Sequence, residues 1–142
     1  IIFLLAGVLP LGIAMNKTGA AELLSRWILS SLESLGPMAV LSGFFLLAML
    51  MTNIISNQAS AVLLAPIMIS AANSMSANPR AFLFALAFAS SLSFATPVGY
   101  QTNTMIYNAG RYRFSDFLRI GVPLSIILWL VGTLLIPVIW PL

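Results

Sequence analysis

Apolar residues run in long blocks that polar ones interrupt at only a few places. Residues 1–16, 34–79, 81–110 and 120–142 carry no charged side chain. A hydrocarbon core about 30 Å thick needs roughly 20 apolar residues per spanning helix, and these blocks reach that length. An unpaired backbone group in lipid costs several kcal/mol, and the blocks lack the alternation of a barrel strand, so the expected fold is all-α, polytopic and membrane-embedded.

The pattern divides the chain into elements. Residues 1–15 read as the end of a spanning helix with kink points at Pro10 and Gly12 and an exit at Asn16-Lys17-Thr18-Gly19. Over 20–35, Leu24, Trp27, Ile28, Leu32 and Leu35 share one helical face, with Glu22, Arg26, Ser30 and Glu33 largely off it. Such a helix lies in the membrane interface, or is an ordinary connector packed on the protein. Two apolar arms follow from Gly36-Pro37, ending near Met51 and Ala72, and Thr52 to Ser60 forms a polar break between them. Each arm has about 16 residues, roughly 24 Å of helix, short of a full crossing. Asn73 to Pro79 reads as a polar turn. Residues 80–94 give another short arm with Ala81, Ala85, Ala89 and Ser93 at four-residue spacing, which predicts deep packing among neighbouring helices.

Ala95-Thr96-Pro97-Val98-Gly99-Tyr100-Gln101-Thr102-Asn103-Thr104 is a second break, after which a helix resumes over 104–109. Residues 111–119 hold the densest charge, Arg111, Arg113, Asp116 and Arg119, and residues 117–139 make one full-length span. Trp129 lies within it, and Trp140 suits an aromatic belt.

Composition narrows the chemistry. Of 142 residues, 61% are hydrophobic and 6% charged, against about 25% charged in soluble domains. The mean hydropathy is +1.06. With no Cys and no His, disulfides, thiolate metal sites and imidazole catalysis are excluded, and an enzyme is not expected. The net charge of +3 flanks apolar blocks without forming a stripe, which speaks for topology and against nucleic acid. The arginine cluster places 111–119 on the cytoplasmic side of a plasma or inner membrane. The start, Ile1-Ile2-Phe3-Leu4-Leu5, has no basic segment before an apolar core and reads as the inside of a helix, so the chain is expected to be a fragment.

The two breaks carry the functional expectation. Broken backbone at membrane depth is tolerated where it is buried in protein or lines a cavity, and transporters build binding sites from it. Ser56 or Asn57 can cap a helix starting near Ala59, and Thr102 or Asn103 one starting near Thr104. Two helix N-termini at one cavity favour an anion without a buried cation. Carbonyls at Thr52, Ile55 and Gly99, with the Asn57 side-chain oxygen, suit sodium, a hard cation. A simple loop at the first break and a packing kink at the second are the alternatives.

These motifs, with Pro10-Leu11-Gly12 and Lys17-Thr18-Gly19, resemble the divalent anion/sodium symporter family, and most of all its citrate-transporter-like permease branch. The resemblance covers essentially the whole chain. It implies one repeat of an inverted-repeat transporter, the C-terminal one, with residues 37–74 as a re-entrant hairpin and 80–110 as an unwound helix. It further implies that Ser56, Asn57, Gln58, Gly99, Tyr100, Gln101, Thr102 and Asn103 line the anion site. Thr52, Ile55, Asn57 and Gly99 would hold sodium, the coupling ion, with no other cofactor. Gln58 departs from the family's usual Thr, which leaves the substrate open, and Tyr100-Gln101-Thr102 in place of the Thr-Pro-Pro of dicarboxylate carriers favours sulfate or another inorganic oxyanion over citrate or succinate. The expected activity is sodium-coupled symport by alternating access, from a full-length homodimer in the lipid bilayer. The alternatives are a sodium/proton antiporter, which needs an embedded carboxylate, and a non-transporting membrane subunit.

Overall fold

The computed structural model describes residues 36–142 together with Pro10, Ala14, Lys17, Thr18, Gly19, Leu23, Arg26, Trp27 and Ser30. The ordered elements from residue 36 onward are five helices: α1 (Pro37–Thr52), α2 (Asn57–Ser74), α3 (Pro79–Ser90), α4 (Gln101–Ala109) and α5 (Phe114–Ile139). No strand occurs among the described residues.

Local chemistry sets the helix ends. Pro37 opens α1 behind Gly36, whose φ of 90° suits a residue without Cβ. The Asn78 side chain accepts the Arg80 N–H at the start of α3, with Pro79 at its first position. Between α2 and α3, the Ala77 N–H donates to the Ala72 carbonyl and the Ser76 N–H to Asn73, with Ser76 at φ 54°, so a Schellman turn closes α2.

The core gathers around α3, which packs against α1, α2 and α5. Its small-residue stripe is the reason: Ala81, Ala85 and Ala89 are fully enclosed and let neighbouring backbones come close. Phe44 of α1 meets Phe82 of α3 edge-on, ring centroids 6.4 Å apart. At about 1.5 Å per residue α1, α2 and α3 reach roughly 24, 27 and 18 Å, all below the hydrocarbon thickness.

By contrast α5, with 26 residues, is long and apolar enough to cross a membrane, and most of it is exposed. It docks on α1 through the Trp129 indole N–H, which donates to the Ser42 carbonyl at 3.1 Å, and through the Thr133 hydroxyl on that of Ser42. Gly132 leaves room for the Phe45 ring. Trp140, expected in an aromatic belt, stacks on Phe84 at 3.9 Å.

Several expected boundaries move, and the arm expected over 80–94 already ends at Ser90, where the chain leaves the helix and Ser93 turns to the end of α1. Phe114 to Arg119, read as part of the charged loop, already belong to α5, because the Asp116 carboxylate accepts the Arg113 N–H at 2.8 Å and starts the helix there. The helix expected from Thr104 begins at Gln101. Near the N-terminus, Lys17 is helical and Thr18-Gly19 turn, with Thr18 donating to Ala14 from both N–H and hydroxyl. Leu23 and Trp27 are exposed. The kink at Gly12 and the face formed by Leu24, Ile28, Leu32 and Leu35, with Glu22 and Glu33, lie outside the described residues.

Candidate functional site

The first break, residues 53–56, comes from a tightened end of α1. The Asn53 N–H donates to Leu50, and those of Ile54 and Ile55 both to Met51. Ser56 then turns extended and caps α2, its side-chain oxygen accepting the Ala59 N–H at 3.3 Å. Asn57 thus becomes the first residue of α2, two positions earlier than expected.

The second break, residues 91–100, folds directly onto the first. The Ser93 hydroxyl donates to the Thr52 carbonyl at 3.0 Å, and the Ala95 N–H to the Asn53 side-chain oxygen at 2.9 Å. The Thr96 hydroxyl donates to the Asn53 carbonyl. Gly99 fits against these groups so closely that a Cβ there would overlap the Ser93 hydroxyl and the Thr52 carbonyl. The Thr52 hydroxyl, fully buried, lies 2.6 Å from the Ser90 carbonyl and 2.7 Å from the Asn57 side-chain oxygen. Having one proton, it donates to one of them at a time.

Three helix ends therefore converge, the C-termini of α1 and α3 at Thr52 and Ser90 and the N-terminus of α2 at Asn57, while α4 packs on none of the other helices and is tied to the second break through the Asn103 side chain. Carbonyl ends suit a cation and amide ends an anion. The Ile55 and Gly99 carbonyls accept no hydrogen bond among the described residues. No cluster of three His, Cys, Asp or Glu occurs among those residues, so a cation here would rest on neutral oxygens.

Of the residues singled out by sequence, Thr52, Asn57, Gly99 and Asn103 meet at this junction. Ser56 and Ile55 sit in the break beside them. Gln58, Tyr100, Gln101 and Thr102 are exposed around it. Neither Thr102 nor Asn103 caps α4: Tyr100 occupies that position without a side-chain bond. The physical reason is that the Asn103 amide has other partners, donating to the Ser93 and Thr96 carbonyls at 2.6 and 3.1 Å. Both its protons are engaged, leaving its oxygen.

Sequence reasoning passed over Asn53, Ser90 and Thr96 as individuals, and read Ser93 only as a small packing residue of the 80–94 arm. Asn53, Ser90 and Ser93 are buried, and a polar residue inside a charge-free apolar block is the signal that would have found them. Asp116, the described carboxylate, is engaged at the start of α5, away from the junction. An apolar cavity of about 210 Å³ beside Phe94, Phe117 and Leu124 offers little to an anion.

Residues 1–141 match the family model described as citrate transporter. An uncharacterized transporter of Synechocystis sp. is 46% identical over 140 residues, covering 99% of this chain and 23% of the relative. The uncharacterized transporter YfbS of Escherichia coli is 38% identical over 140 residues, with coverage of 99% and 23%. Sodium/sulfate cotransporter 1 of Chlamydomonas reinhardtii is 27% identical over 129 residues, covering 90% of this chain and 15% of its own length. The chain spans less than a quarter of the length of these relatives.

Proposed function

The chain belongs to the citrate transporter family and so to an integral membrane protein, and from that premise we propose that it forms one half of the binding site of a sodium-coupled anion symporter. The observation that supports this most is the convergence of one helix N-terminus and two C-termini on one charge-free junction, with the second break folded onto it ahead of α4. In this reading the anion meets the free amides at the start of α2 and α4, with Ser56, Asn57, Gln58, Gly99, Tyr100, Gln101, Thr102 and Asn103 around it. Sodium takes the carbonyls of Thr52, Ile55 and Gly99 and the oxygen of Asn57. The helices α1 to α3, each shorter than the membrane, are the re-entrant and unwound parts of one repeat, and a second repeat elsewhere in the protein completes the site.

Sulfate is the proposed substrate. A sodium/sulfate cotransporter among the relatives favours it, and Gln58 and Gln101 offer amide donors to a tetrahedral oxyanion. Cytoplasmic placement of 111–119 and homodimerisation belong to the same proposal. It is supported by the arginine cluster and by the exposed apolar length of α5.

Uptake of radiolabelled sulfate by the full-length protein in liposomes tests the reading. Uptake should require a sodium gradient and fall at least tenfold with Asn57→Ala. Uptake indifferent to both would overturn it.

A further inference from the structure

The geometry points to Asn53 as a positioning residue that latches the two breaks together and so sets the spacing of the cation-binding oxygens; the inference rests on the symporter reading proposed above. Asn53 is 9% exposed, and its polar groups work across the junction. Its side-chain NH2 donates to the Met49 carbonyl at 2.7 Å and the Leu92 carbonyl at 3.3 Å. Its side-chain oxygen accepts the Ala95 N–H, and its backbone carbonyl accepts the Thr96 hydroxyl. One residue therefore holds Leu92, Ala95 and Thr96, some forty positions away in sequence, against the end of α1.

The chemistry requires an amide. The tightened last turn sends the Asn53 N–H to Leu50, and the Asn53 side chain supplies the donor that Met49 receives. A carboxylate would face the Met49 and Leu92 carbonyls with like partial charge, and a methyl group would leave both carbonyls and the Ala95 N–H without these partners. Neighbouring Thr52 contributes both a carbonyl and a hydroxyl to the junction, and Gly99, three residues beyond Thr96, packs on it. Asn53 itself touches no ligand in this scheme. Releasing it frees Gly99 and its carbonyl to drift from the Thr52 and Asn57 oxygens, so the cation loses its fixed cage before the anion loses its amides.

The test pairs a distance with a transport measurement in the full-length protein, made Cys-free elsewhere. Spin labels go on Ile54→Cys and Val98→Cys, positions 74% and 68% exposed on the two breaks. With Asn53 present, electron-electron resonance should give one narrow distance, and Asn53→Ala should broaden it. The same substitution should raise the sodium concentration for half-maximal sulfate uptake about tenfold, with excess sodium restoring the rate. Thr96→Val, which keeps the shape and removes both the bond to the Asn53 carbonyl and the one its hydroxyl accepts from the Gly99 N–H, should broaden the distance less than Asn53→Ala while also raising the sodium requirement, and stands in if Asn53→Ala fails to fold. A distance that stays narrow in both variants overturns the latch whatever the protein transports. A broadened distance with unchanged sodium dependence overturns its role at the cation site. A transporter that never needs sodium defeats the symporter reading, while the label distances still decide the latch.

Discussion

A β-carbon at Gly99 would share space with the Ser93 hydroxyl and the Thr52 carbonyl, and lie 3.0 Å from the Asn53 Cα. Two of these are backbone atoms of the end of α1, which cannot step aside as a side-chain tip could. Gly99→Ala should therefore cost about 1–3 kcal/mol of stability, toward the upper end, and abolish sulfate uptake by forcing the breaks apart. Thermal unfolding in detergent together with liposome uptake checks both effects. Ser76 makes the opposite case. It holds φ 54° in the turn after α2, a conformation that costs an L-residue about 1–2 kcal/mol and glycine far less. Glycine loses about 0.5–1 kcal/mol more chain entropy on folding, so Ser76→Gly should gain up to about 1 kcal/mol, seen as a raised unfolding temperature with transport unchanged.

At the scale of the element, α3 decides how close the breaks lie. Ala81, Ala85 and Ala89 face inward, and α1 and α2 rest on them. Ala85→Leu should push those helices away and destabilise the protein by about 1–3 kcal/mol, while Ala87→Leu on the exposed face should stay within about 0.5 kcal/mol. Comparing the two unfolding temperatures separates packing from hydrophobicity. This stripe was legible in sequence because small residues at four-residue spacing are a statement about distance. Both breaks were legible too, since Thr52 to Ser60 and Ala95 to Thr104 are polar runs in blocks without charge. What sequence could not place were the edges of the second break, the end of α3 at Ser90 and the start of α4 at Gln101. Tyr100 is a poor capping residue and Thr102-Asn103 good ones, so local preference favoured a later start. Long-range bonds from Asn103 to Ser93 and Thr96 overrode that preference. Asp116 was read as loop charge for a similar reason, because its role at the Arg113 N–H depends on where the helix turns and not on composition.

On the scale of the whole molecule, the three helix ends at the junction make an electrostatic sum. Each helix terminus carries roughly half an elementary charge, positive at an N-terminus and negative at a C-terminus. The start of α2 contributes about +0.5 and the ends of α1 and α3 about −1 together, so the junction carries a net partial charge of about −0.5. A dianion approaching it meets the α2 amides beside the carbonyls of α1 and α3, and the carbonyls repel it more strongly than those amides attract it. In the symporter reading proposed above, sodium on the Thr52, Ile55 and Gly99 carbonyls would remove that repulsion and leave the amides unopposed. On that reading coupling would follow from order: the net negative junction takes the cation first, at the Ile55 and Gly99 carbonyls that accept no hydrogen bond among the described residues, and the anion binds where the cation has neutralised its opponents. Calorimetric titration of the full-length protein with sulfate should show binding in sodium chloride and at least tenfold weaker binding in N-methylglucamine chloride. By linkage, sulfate should tighten sodium binding by the same factor. Equal sulfate affinity in the two salts would mean that the carbonyl ends do not oppose the anion, and that this junction does not couple the two solutes.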